Sequence, residues 1–134
     1  MRTVLAVLIV LFYFSCGKPS AVSKKLSGSD SLVITFNMPN SDSVRGMVNT
    51  TGKNAIRKLT HFLEGKNTME YKCGYNGSMI FFRKREQVMA IVFNYGEDSC
   101  RHFLYDIDNV LVSTRMGKEA SDFLQSLGEG RGWY

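Results

Sequence analysis

Two histidines, His61 and His102, are all that this 134-residue chain holds, and it has no CxxC pair, no HxxxH pair and no ordered acidic loop. Structural and catalytic metal sites need such spacings to bring several ligands onto one ion, so no metal and no cofactor is expected. Neither histidine lies in a recognised nucleophile motif, and hydrolysis needs a nucleophile, a base and a group that orients the base. The chain also lacks a long basic stripe. Beyond residue 16 it carries sixteen Lys and Arg against twelve Asp and Glu, a net of +4, with adjacent cations only at Lys24-Lys25, Arg57-Lys58 and Arg83-Lys84-Arg85. That mild bias favours anionic surroundings but is not a nucleic-acid footprint. No internal repeat is present, and the apolar and charged fractions, 44% and 22%, are those of one globular domain.

Nor is any apolar run long enough to span a membrane. The longest, Thr3 to Phe14, has twelve residues, which as a helix covers about 18 Å where about 30 Å of hydrocarbon must be crossed. Its setting is that of an export signal: a charge at Arg2, the apolar stretch, then small residues at Ser15 and Gly17. Ser15-Cys16-Gly17 at the end of that stretch resembles the signal of bacterial lipoproteins, in which the cysteine after the cut carries diacylglycerol. Tyr13 and Phe14 depart from the Leu and small residue usual there. The resemblance implies Cys16 as lipid acceptor, residues 1–15 as signal peptide, and a place in the cell envelope, anchored to the outer membrane and facing the periplasm. Several buried acyl chains at about 0.8 kcal/mol per CH₂ would hold such a protein to its membrane. Cleavage after Gly17 with plain secretion, or a retained apolar anchor, are the alternatives.

Residues 16–30 contain "CGKPSAVSKKLSGSD", rich in Ser, Gly and Lys. The composition predicts a lipidated cysteine followed by a flexible tether. A single folded domain is expected over 31–127, with 128–134 as a C-terminal tail. "SLVITFNM" alternates like a strand and stops at "PNSDS", and "VRGMVNT" reads as its hairpin partner. Ala55, Ile56, Leu59, Phe62 and Leu63 fall at helical spacing, predicting a helix from Lys53 to Glu64. "TMEYKC", "SMIFFRK", "QVMAIVFNY", "CRHFLYDI" and "VLVSTRM" follow with short breaks, which makes consecutive strands antiparallel neighbours. In the second and third of these both faces are apolar, predicting central strands covered on both sides. "KEASDFLQSL" puts Ala120, Phe123, Leu124 and Leu127 on one stripe of a final helix. The fold class expected is α+β, an antiparallel meander packed with two helices, with strong curvature as an option.

Cys73 and Cys100 in an exported domain are expected to pair. In a flat meander, however, they stand three strands apart, about 14 Å at 4.8 Å per step, where a disulfide needs Cα atoms within about 4.4–6.8 Å. Either the sheet curls, or the strands are not in sequential order, or the thiols stay apart.

The expected function is a non-enzymatic binding or interaction module, anchored to a membrane and resembling small periplasmic lipoproteins. Its partner would be an envelope protein or an anionic glycan or lipid, with Lys72, Arg83, Lys84 and Arg85 as the candidate contacts. A small periplasmic hydrolase using His102 or His61 is the alternative, since alternation along "DSCRHF" puts Cys100 and His102 on one face. "MEYKCGYNGSMIFF" is similar to the start of periplasmic lysozyme-inhibitor domains, which implies inhibition of a cell-wall hydrolase. Those domains lack a long preceding helix, and their cleft-entering loop motif is missing here.

Overall fold

The computed structural model describes residues 19–69 and 72–132. Cys16 and the apolar leader, Glu70 and Tyr71, and Trp133 and Tyr134 lie outside them. Six strands form one open antiparallel sheet, with three helices on one face. It is the expected α+β fold.

Chain order is α1 (Ala21–Leu26), β1 (Ser31–Asn37), β2 (Val44–Thr50), α2 (Lys53–Phe62), β3 (Gly77–Arg83), β4 (Glu86–Asn94), β5 (His102–Ile107), β6 (Val110–Arg115) and α3 (Lys118–Gly128). The order across the sheet is β2-β1-β3-β4-β5-β6. β1 therefore pairs on both sides, with its hairpin partner β2 and with β3.

Alternation decides which side chains enter the core. Leu32, Ile34 and Phe36 are buried in β1, and the register sets Leu32 opposite Phe81 and Ile34 opposite Met79. Ile91 and Phe93 continue the layer on β4, and Phe103 and Tyr105 on β5. Each such side chain contributes about 1.5–3 kcal/mol by leaving water. Ile56 and Leu59 of α2, and Ala120, Leu124 and Leu127 of α3, close this core from above. The rings of Phe36 and Phe93 meet edge to face with centroids 6.0 Å apart, a favoured aromatic geometry.

Four expectations need correction. First, the predicted tether is partly folded. Ser20 caps α1 by accepting from the Ser23 amide at 3.2 Å, and Val22 and Leu26 are 3% and 2% exposed in the core. Only two apolar residues sit there, but their i, i+4 spacing places both on one helix face against the sheet. Second, "TMEYKC" is not a strand among its described residues. Asn67 makes an isolated bridge to Thr114, the Thr68 amide donates to the Ser113 carbonyl, and Lys72 and Cys73 lie in a bend. Among the described residues the meander after α2 therefore has four strands, β3 to β6.

Third, β3 and β4 are central as expected, but the described elements do not cover their second face. Ile80, Phe82 and Val92 are half-buried there and Ala90 is exposed. Fourth, the last helix extends through Gly128, so the tail begins later than expected.

Cys73 and Cys100 are joined, with Cα atoms 5.9 Å apart. The sheet is not closed into a barrel. The geometric obstacle disappears because Cys73 is not on a strand beside β3. It lies in the segment that runs from the β6 edge back toward β3, where the Asn94 side-chain amide donates to the carbonyl oxygens of Cys73 and Gly74 at 3.4 and 2.9 Å.

Candidate functional site

The start of β1, the end of β2 and the β3–β4 turn all lie at one end of the sheet, because Leu32 pairs with Thr50 and Ser31 with Phe82. The Ser27–Asp30 turn between α1 and β1 reaches the same end, since the Asp30 amide donates to the Phe82 carbonyl at 2.9 Å. Cations from three separate segments gather around that turn. Lys25 comes from α1, Lys53 and Arg57 from α2, and Arg83 and Lys84 from the hairpin, with Arg85 next to them in the chain.

Two clefts flank the turn. One, of about 380 Å³, is lined by Lys25, Arg83, Lys84, Glu86, Gln87 and Val88. The other, of about 700 Å³, lies between the turn and the first two turns of α2, with Leu26 and Ile56 in its lining beside Lys53 and Arg57.

Not all of the expected contacts come together. Lys84 and Arg85 form the tip of the hairpin, and both have positive φ, 51° and 68°. That is the type I′ pattern, for which Asn-Gly is the usual solution, and left-handed backbone costs a residue with a Cβ about 1–2 kcal/mol. The Asp30 carboxylate accepts from the Lys84 amide at 2.9 Å and so helps hold the turn. The next hairpin solves the same problem with residues that tolerate it, Asp108 and Asn109 at φ 52° and 65°; "DIDN" is that turn. Arg83 is a structural residue, its guanidinium donating to the carbonyl oxygens of Lys25 and Ser27. Lys72 precedes β3 on the side of its start, and the two ends of that seven-residue strand are about 20 Å apart at 3.4 Å per residue.

Lys53 and Arg57 were not singled out from the sequence, yet their setting is electrostatically unfavourable. α2 begins at Gly52 with no side-chain cap and no acidic residue in its first turn. A cation near a helix N-terminus opposes the helix dipole by about 0.3–1 kcal/mol. Like charges at i, i+4 cost a few tenths more, about 0.2–0.5 kcal/mol. Elsewhere on the described surface Lys118 pairs with Asp122, Arg115 and Arg101 with Asp98, and Lys58 lies 4.4 Å from the Phe123 ring centroid. Among the described residues neither Lys53 nor Arg57 has a carboxylate within ion-pair distance. The sequence signal was present in "TTGKNAIRK": a helix start with basic residues in place of the usual acidic ones.

The two histidines stand apart. His61 is exposed near the end of α2, its Nδ1 3.2 Å from Glu64, which also accepts from the Ser20 hydroxyl at 2.9 Å. His102 is fully buried on β5, with Nδ1 donating to the Cys100 carbonyl at 2.8 Å and the Tyr75 ring 5.8 Å away. The Cys100 sulfur is committed to the disulfide, so the Cys100–His102 pairing considered for hydrolysis has no thiolate to offer. Tyr105 is a buried group with a raised pKa. Burial is the main cause, opposed by a hydrogen bond with Thr114 and reinforced by the Glu64 charge.

Among the described residues no three His, Cys, Asp or Glu side chains are grouped to hold a metal ion. No described helix is long and apolar enough to cross a membrane. The chain matches no family model, no curated protein and no solved structure.

Proposed function

We propose that the chain is an exported, lipid-anchored binding module of the cell envelope, without catalytic activity, whose cationic end engages an anionic envelope component. The observation that carries this reading is the convergence of Lys25, Lys53, Arg57 and Lys84, far apart in sequence, on two clefts either side of one turn. Cations held on ordered elements around clefts focus potential better than the same charges spread over a surface.

The anchor is read from Ser15-Cys16-Gly17. Because Ser20 is the cap of α1, a lipid on Cys16 would leave a spacer of three residues, Gly17 to Pro19, whose four Cα–Cα steps span at most about 14 Å when extended. The module would then work close to the bilayer. There, a leaflet carrying anionic lipid would favour each nearby Lys or Arg by about 1 kcal/mol.

Two measurements test this. The intact mass of the protein extracted from membranes of a gram-negative host should correspond to residues 16–134 plus diacylglycerol and acyl chains. An unmodified chain starting after Gly17 would make it a secreted protein and remove the anchor. The unacylated Cys16→Ser protein should co-sediment with phosphatidylglycerol vesicles more than with phosphatidylcholine vesicles, and the excess should fade with salt and in the Lys84→Glu/Arg85→Glu variant. Equal binding to both vesicles would sink the anionic-surface reading.

A further inference from the structure

We infer that the 700 Å³ cleft between the Ser27–Asp30 turn and the start of α2 is a binding site for a small amphiphilic anion, a phosphate or carboxylate carried on an apolar group. The inference deepens the reading above by naming what this cleft takes, and it rests on that reading only for the biological source of the ligand.

The cleft has the size of a small-molecule site, which commonly falls at 300–1,000 Å³. Its lining is divided by chemistry. Lys53 and Arg57, one turn apart on α2, supply charge, and Leu26 and Ile56, 2% and 6% exposed, form its apolar floor. Thr51 and Ser27 also line it. Asp30 is the acidic residue in the lining, and its carboxylate already accepts from the Lys84 amide and the Ser31 hydroxyl. The cleft therefore has a net positive lining, two cations to one carboxylate, with neither cation in an ion pair among the described residues, beside a helix start that adds further positive potential. An anion seated between Lys53 and Arg57 would relieve all three at once. Its apolar part would lie against Leu26 and Ile56, which a bare inorganic ion would leave unused.

The probes are hexyl phosphate, inorganic phosphate and hexanol, added to the purified Cys16→Ser protein in detergent-free buffer. Binding is read by calorimetry and by amide NMR shifts. Hexyl phosphate should bind at least tenfold more tightly than either of the others and shift the amides of Gly52 to Ile56. Losing one charge-assisted contact is worth roughly tenfold in affinity, so Lys53→Gln and Arg57→Gln should each weaken binding by about that factor.

Thr51→Asp separates binding from folding, because an acid beside the helix start should raise the melting temperature while abolishing hexyl phosphate binding. Equal affinity for inorganic and hexyl phosphate would overturn the apolar half of the inference and leave a free-phosphate site. No shift at Gly52–Ile56, or unchanged affinity in Lys53→Gln and Arg57→Gln, would overturn it altogether. Hexyl phosphate binding without any preference for anionic vesicles would keep the cleft and discard the surface reading; the reverse result would do the opposite.

Discussion

The Arg83 guanidinium donates to the carbonyl oxygens of Lys25 and Ser27, tying the end of β3 to the last turn of α1. A sequence pattern that resembles a free basic cluster thus contains one residue whose charge is spent on helix carbonyls left without partners at a C-terminus. Arg83→Met should lower stability by about 1 kcal/mol and speed hydrogen exchange at residues 24–29. Both bonds come from Nη2 alone, so the three-donor ammonium of Arg83→Lys should restore part of the loss. Unchanged exchange in the methionine variant would show that the contact does not hold α1.

Leu26 tests whether α1 belongs to the core. At 2% exposure, its replacement by alanine should cost about 2–4 kcal/mol, read as a lower urea midpoint with unchanged slope. A chain starting at residue 31 should lose still more. Were residues 20–30 a dispensable tether, both changes would leave the midpoint where it was.

The Cys73–Cys100 bond closes a segment with a sequence separation of 27. In the chain-entropy account this contributes about 3–4 kcal/mol, so the Cys73→Ser/Cys100→Ser protein should unfold at clearly lower urea. Asn94, which donates to Cys73 and Gly74, should keep part of the segment in place. Protection of the amides on β3 and β4 should therefore fall less than protection in residues 72–76.

Gly77 marks the point where the chain enters the centre of the sheet. A Cβ there would stand 2.1 Å from the Thr35 carbonyl oxygen and 2.8 Å from the Phe93 ring. The backbone oxygen cannot move without breaking the β1–β3 ladder, so Gly77→Ala should destabilise by about 3 kcal/mol. A calorimetric melt within a degree or two of the wild type would refute the close approach.

Tyr105 predicts an alkaline effect. Its hydroxyl donates to the Leu63 carbonyl at 3.3 Å, and burial raises its pKa above the ordinary value of 10.0. The folded state thus binds the proton more tightly than the unfolded state does. The resulting stability is complete below the unfolded pKa, near 10, and is lost as pH rises through the higher folded value. Tyr105→Phe should be less stable than wild type at pH 8 by about 1 kcal/mol. The gap should narrow above pH 10, as followed by urea denaturation at each pH.

Periodicity made much of the fold legible. The alternation of Leu32, Ile34 and Phe36, the helical stripe of Ile56 and Leu59, and the Ala120, Leu124 and Leu127 stripe each point to the face that the structure buries. The two-sided apolar character of "SMIFFRK" and "VMAIVFNY" correctly places β3 and β4 at the centre. It fails on coverage, because an apolar second face is read the same way in a strand whether or not a layer lies over it. α1 was missed for a related reason. Composition averaged its two core residues into a polar segment, while their spacing carried the information.

The site was less legible than the fold. Arg83, Lys84 and Arg85 are adjacent in sequence, but Arg83 serves α1 and Lys72 precedes the start of β3, whereas Lys53 and Arg57 join the hairpin cations only through folding. Local sequence determined most of the helices, strands and turns, though not the irregular course of the described residues of "TMEYKC", because side-chain period and turn chemistry act within a few residues. Only the tertiary structure decided that β1 lies between β2 and β3, that Cys73 reaches Cys100, and that two cations of α2 face the α1–β1 turn. Those relationships depend on which long-range pairings bury the most surface for the chain entropy they cost, and no local pattern contains that sum.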